Sequence, residues 1–190
     1  MMRAAVLLFD HVEVLDFAGP FEVLSCAEDE KGAPLFDCRL LAAEPWVNCR
    51  GGLLVQSQGD LAEALECGLV VAPGGPGART AHGQPAVQEA CRDAAKAGAV
   101  VASVCTGSFL LARAGLLDGK TATTHAFRLK EFGERFPLVK AVDQKVVDQG
   151  DILTAGGVAS GIDLCLHLLE RFFGPEARKR EARRLQGPWR

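Results

Sequence analysis

The sequence predicts an α/β protein built on a mostly parallel sheet with helices on both faces. Two observations carry that expectation. Short apolar, β-branched runs alternate along the chain with stretches of helical periodicity. Runs such as Leu69-Val70-Val71-Ala72 are apolar at every position, as strands buried on both faces must be. In such sheets the functional loops lie at the carboxyl ends of the strands.

Ala4 to Phe9 reads as the first strand and Phe21 to Ala27 as a helix. Phe36 to Ala42 and Gly52 to Gln56 read as extended, and Leu61 to Leu65 as a brief helix. Leu69 to Ala72 is a strand that ends at Pro73-Gly74-Gly75-Pro76-Gly77. Pro85 to Ala97 is helical, with proline at its start and Gly98 as its stop. Val100 to Ser103 is a strand, followed by a helix over Phe109 to Ala114, a strand over Thr121 to Thr124 and a helix over Phe127 to Phe136. Lys145 to Val147 and Ile152 to Ala155 close the strands, and Ile162 to Phe173 is a long apolar helix ended by Gly174-Pro175. The tail from Glu176 to Arg190 interleaves Arg178, Lys179, Arg180, Arg183 and Arg184 with Glu176 and Glu181, the pattern of a solvated helix end. With no repeat or linker, residues 1–190 read as a single domain.

A chain of 190 residues with 48% hydrophobic content can bury a substantial core. Its net charge of -3 leaves no broad basic surface, which argues against nucleic acid as partner and for a small molecule. The seven cysteines are odd in number and lack C-x-x-C pairs, which suits neither a disulfide framework nor a zinc site and points to a reducing cytoplasm. Ala4 to Phe9 is too short for a signal-peptide core and no run reaches membrane-spanning length, so no membrane partner is expected.

The segment from Val100 to Leu111 is strand, sharp turn, helix, with Cys105 at the corner. Ser103-x-Cys105-x-Gly107 has the spacing of a nucleophile elbow, small residues flanking a strained turn. A helix starting at Thr106-Gly107 would set its N–H groups beside the sulfur and favour thiolate. Cys105 therefore reads as a nucleophile, against the alternative of a small buried hydrophobe. Gly75-Pro76-Gly77-Ala78-Arg79-Thr80 lacks the third glycine of a dinucleotide fingerprint, and Ile162-Asp163 stands where a phosphate loop needs lysine, so no cofactor is expected. Gly74 and Gly75 read either as turn glycines or as backbone donors to developing negative charge. Asp16, between Leu15 and Phe17 in the loop before Pro20, reads as a desolvated carboxyl with a raised pKa or as a helix cap. His125 ends the Thr121 to Thr124 strand and so could face the same cleft.

Leu15-Asp16-Phe17-Ala18-Gly19-Pro20-Phe21-Glu22-Val23, the Pro73 to Gly77 loop, Ala102-Ser103-Val104-Cys105-Thr106-Gly107, Thr123-Thr124-His125 and Gly156 to Asp163 together resemble the DJ-1/PfpI superfamily across almost the whole chain. Cys-Thr-Gly at the elbow with an aspartate near the N-terminus is similar to its isonitrile hydratase branch and to sensor domains of AraC-type regulators. The resemblance implies a flavodoxin-like three-layer sandwich, a homodimer, Asp16 within reach of Cys105, backbone donors from Gly75 and Thr106, and His125 near the site. Thr106 replaces the histidine of the protease-like branch, so peptidase activity is not expected. With the sequence ending at Arg190, no helix-turn-helix segment is expected after the last helix. Ala126, with Phe127 one place later, departs from the aromatic that often follows Thr-Thr-His, so the pocket wall is expected to differ. The leading expectation is a cofactor-free and metal-free isonitrile hydratase working through Cys105, Asp16 and Thr106, with Gly75 donating to developing charge. A ligand- or redox-sensing module, and a glyoxalase- or amidotransferase-like enzyme with His125 as base, are the alternatives.

Overall fold

The computed structural model describes residues 1–80 and 82–189. In chain order the strands are β1 (Met2–Leu7), β2 (Phe36–Ala42), β3 (Trp46–Asn48), β4 (Leu54–Gln56), β5 (Gly59–Asp60), β6 (Leu69–Ala72), β7 (Val100–Val104), β8 (Thr121–Ala122), β9 (Lys140–Ala141), β10 (Val146–Asp148) and β11 (Ile152–Ala155). The α-helices are α1 (Val14–Cys26), α2 (Pro85–Lys96), α3 (Ser108–Arg113), α4 (Leu129–Arg135), α5 (Ser160–Phe173) and α6 (Pro175–Leu185). The central sheet has the order β10-β11-β7-β6-β1-β2-β5 and is parallel except for the β10–β11 pair. Helices α1, α5 and α6 pack together as one group and α2 with α3 as another. Sheet and helices make the flavodoxin-like sandwich that the sequence predicts.

Burial explains the strand composition. Every residue of β6, β7 and β11 is buried, so these central strands carry no polar face. From β1 the chain moves outward to β2, then returns to place β6 on the other side of β1 and continues to β7. The order therefore reverses between β1 and β6, and a crevice opens there at the carboxyl ends of the strands. The loops after β1, β6 and β7 all end in it.

Several elements differ from the sequence reading. Helix α1 starts at Val14, not near Phe21, so Asp16 is in its first turn and Pro20 is inside it. Pro20 stands in the middle of α1 and removes one amide donor, the one that would bond the Asp16 carbonyl. Gly52 to Gln56 contributes only β4, which pairs antiparallel with β3 in a separate hairpin whose three-residue strands are too short to show a pattern. The strand expected over Thr121 to Thr124 is two residues long and pairs with β9 outside the central sheet. The helix expected from Phe127 is α4, entered through a 3-10 turn at Ala126–Arg128. In the basic tail, α6 is not wholly solvated: Ala177, Glu181 and Ala182 are buried.

Candidate active site

Cys105 follows directly on β7 with φ of 56°, a left-handed conformation that disfavours any residue with a side chain. Its carbonyl is gripped by two hydroxyls, Thr124 Oγ1 at 3.0 Å and Ser108 Oγ at 3.2 Å, so neighbouring contacts hold the strained corner in place. Space at the corner is equally tight. A Cβ on Gly107 would run into the carbonyls of Ala72 and Pro73, so the small flanking residue is a steric requirement. Gly107→Ala is expected to lower the free energy of unfolding by about 2 kcal/mol, read as a shift in urea midpoint.

Three loops meet on the sulfur. The backbone ties the start of α1 to the β6 loop, with Glu13 N–H donating to Gly74 O at 2.9 Å. Gly74 N–H in turn donates to Asp16 Oδ2 at 3.0 Å. A Cβ on Gly74 would lie within 2.8 Å of that oxygen and closer still to Thr106 N, so only glycine lets the three loops converge. Gly75 N–H donates to Thr106 Oγ1 at 2.9 Å, and Thr106 Oγ1 donates back to Gly75 O at 3.2 Å. The Thr106 side chain is thus a clip between the elbow and the Gly-rich loop.

Asp16 is fully buried, and its Oδ1 has no hydrogen-bond partner. Burial raises its carboxyl from 3.8 to about 7, against the Cys105 thiol and the Gly74 N–H, which favour the ionised form. Burial and then the Asp16 charge push the Cys105 thiol up to about 12, against donation from Thr106 N–H. A thiolate favoured by a following helix is therefore not the resting state. The residues after Cys105 form a 3-10 turn, α3 begins only at Ser108, and desolvation outweighs the few N–H groups of the turn. Cys105 and Asp16 instead influence each other's protonation: the thiol favours the carboxylate, and the carboxylate charge disfavours the thiolate.

The Gly74 and Gly75 donors need the same correction. Gly74 N–H is engaged by Asp16 and Gly75 N–H by Thr106, so neither points unpaired into the pocket. The Thr106 hydroxyl is likewise occupied on both sides. His125 does line the pocket; its Nδ1 accepts the Phe127 N–H at 3.2 Å, which places the proton of the neutral ring on Nε2. Phe127, expected to alter the pocket wall, borders the same cavity of about 330 Å³, but sequence reasoning missed the charged part of its rim: Glu13, Arg50, Arg79 and Arg128. Arg79 had a signal, since it lies within the Gly75 to Thr80 segment. Arg50 had none, because the β3–β4 hairpin that presents it was not legible.

Over residues 2–171 the chain matches the DJ-1/PfpI family. It is 30% identical to an isonitrile hydratase from Pseudomonas putida over 91% of this chain and 73% of that protein. It is 32% identical to the HTH-type transcriptional regulator CdhR from Pseudomonas aeruginosa over 90% of this chain, which spans half of the regulator's length. The crystal structure of Drosophila melanogaster DJ-1beta superposes with a TM-score of 0.82 at 23% identity, covering 97% of each chain.

Proposed function

The chain belongs to the DJ-1/PfpI family, and from that premise we propose that it is a cofactor-free hydratase that converts an isonitrile to an N-substituted formamide. One observation carries the reading: a buried carboxyl beside the elbow thiol, bonded at Oδ2 and without a partner at Oδ1. Such a group can receive a proton on one oxygen while the other is held still.

In the reactive form the shared proton sits on Asp16 Oδ1 and Cys105 is thiolate. The sulfur bonds to the terminal isonitrile carbon as the Oδ1 proton moves to that same carbon, giving the thioimidate R–N=CH–S–Cys105. A water then adds to this carbon, and its proton passes through Asp16 to nitrogen. The hydroxyl proton of the adduct returns to Asp16 as the C–S bond breaks, releasing R–NH–CHO and restoring the pair. Thr106 N–H faces the sulfur and steadies its charge, while the Thr106 hydroxyl and the two glycines hold the walls.

The pH dependence follows from the number of protons on the pair. Below about 7 Asp16 is protonated while Cys105 remains a thiol, so the pair holds two protons and has no nucleophile. We expect kcat/KM for isonitrile loss to rise about tenfold per pH unit up to about 7 and then level. A flat profile from pH 5 to 9 would remove Asp16 from the chemistry.

The likeness to CdhR favours one second reading, a ligand- or redox-sensing module without turnover. Mass spectrometry after mild peroxide separates the two: sulfinate confined to Cys105, together with no turnover of any isonitrile, would select the sensor. Glyoxalase- or amidotransferase-like chemistry needs His125 as base, and its Nδ1 lone pair already accepts the Phe127 N–H. We also propose one domain per chain, a homodimer and a reducing cytoplasm. Trp46, Leu53 and Leu54 stand exposed on the β3–β4 hairpin next to the start of α1 and offer a face to a second copy. All seven cysteines are unpaired, and among the described residues no helix is long and apolar enough to cross a membrane.

A further inference from the structure

The lining of the Cys105 cavity holds three arginines, Arg50, Arg79 and Arg128, against one carboxylate, Glu13, and more arginines stand behind it. Around the single carboxylate of Glu131 lie Arg135 at 3.2 Å, Arg128 at 3.4 Å and Arg79 at 3.8 Å. Arg113 is close enough to be influenced by both Arg135 and Glu131, and is pinned by the carbonyls of Ala78 and Thr80 at 2.7 and 3.0 Å. Three guanidinium groups therefore share one carboxylate, with a fourth, Arg113, beside them. Across the mouth, Arg50 pairs with Glu13, so that side adds no surplus negative charge. The excess is local, because the chain as a whole carries -3. Asp16 is buried behind the cavity lining, and that burial favours its neutral form.

Two of these arginines, Arg79 and Arg128, border the cavity itself, together with Cys105. Guanidinium groups crowded on one carboxylate repel one another, and a second anion relieves that repulsion while offering two oxygens to their planar forks. We propose that Arg79 and Arg128 form a carboxylate-recognition site at the pocket mouth, so that the preferred substrate is a short isonitrile bearing a carboxylate at the far end. The identity of the reacting end rests on the hydratase reading. The carboxylate site does not.

Two sets of compounds separate these claims. Full-length Cys105→Ala protein is titrated by calorimetry with 3-formamidopropanoate and with its neutral amide, 3-formamidopropanamide. The carboxylate is expected to bind at least about tenfold more tightly, since a charge-assisted bond contributes somewhat more than a neutral one. That ratio should shrink in high salt, a readout that leaves every arginine intact. Arg79→Met and Arg128→Met should each bring it toward one. Equal affinity for the two compounds at low salt would overturn the carboxylate site. In parallel, the wild type is expected to favour 3-isocyanopropanoate over propyl isocyanide in kcat/KM by at least about tenfold. If no isonitrile is turned over but the Cys105→Ala protein still prefers the carboxylate, the hydratase reading fails and this site stands. If both isonitriles are turned over without preference, the carboxylate site fails and the hydratase reading stands.

Discussion

Cys105→Ala is expected to bring isonitrile loss down to the uncatalysed background, a fall of at least about 10⁴-fold, because removing a nucleophile abolishes the covalent route outright. Among the described residues lining the cavity, Cys105 is the one thiol. The neighbouring hydroxyl, on Thr106, is bound to Gly75 through both donor and acceptor and cannot substitute. Turnover within tenfold of wild type, followed by loss of isonitrile in a discontinuous assay, would move the chemistry away from the elbow. The backbone supplies a second readout at the same position. With φ of 56°, glycine is expected to be more stable than alanine here by about 1 kcal/mol, the reverse of the usual order. Comparing urea midpoints of the Cys105→Gly and Cys105→Ala proteins measures that strain without reference to activity.

Asp16→Asn is expected to cost about 10²- to 10⁴-fold in kcat/KM, the usual contribution of a positioned acid–base group, and to change how stability depends on pH. A carboxyl raised from 3.8 to about 7 favours the folded state while protonated, so its stabilisation is complete below about 4 and is lost as pH rises through about 7. The rise corresponds to about 4 kcal/mol between those limits. Asparagine does not titrate, so that part of the pH dependence should vanish. Its amide nitrogen, however, gains a buried position without a clear acceptor, at a cost of about 1–3 kcal/mol. The variant should therefore be less stable than wild type near pH 4 and more stable at pH 8. Urea unfolding at both values checks the crossing, and two parallel curves would mean that burial does not hold the Asp16 proton.

Much of the framework was legible because strands buried on both faces must be apolar throughout. Leu69 to Ala72 and Val100 to Ser103 could hardly be anything else, and the spacing of Ser103, Cys105 and Gly107 located the corner. Asp16 was legible as a desolvated acid from its apolar neighbours, but its helical setting was not, since Pro20 reads locally as a start signal. The protonation of the thiol was hidden for a related reason. Sequence shows that a turn follows Cys105, while the burial that outweighs the dipole of that turn depends on three loops closing over it. Gly74 and Gly75 were visible as glycines, yet where their N–H groups point is decided by Asp16 and Thr106, which are distant in the chain. The rim arginines come from separate segments, and no local pattern unites Arg79 with Arg128.

The two ends of the central sheet bear on how copies of this chain can meet. At one end stands β5, only two residues long; at the other is β10, three residues, tethered through Asp148 to His167 at 2.7 Å and to Arg171 at 3.6 Å. Margins this brief offer few unpaired amides, so strand-by-strand polymerisation finds little template. The central sheet therefore leaves contact between copies to side-chain surfaces, which can be tuned by single substitutions while its backbone ladder is left untouched.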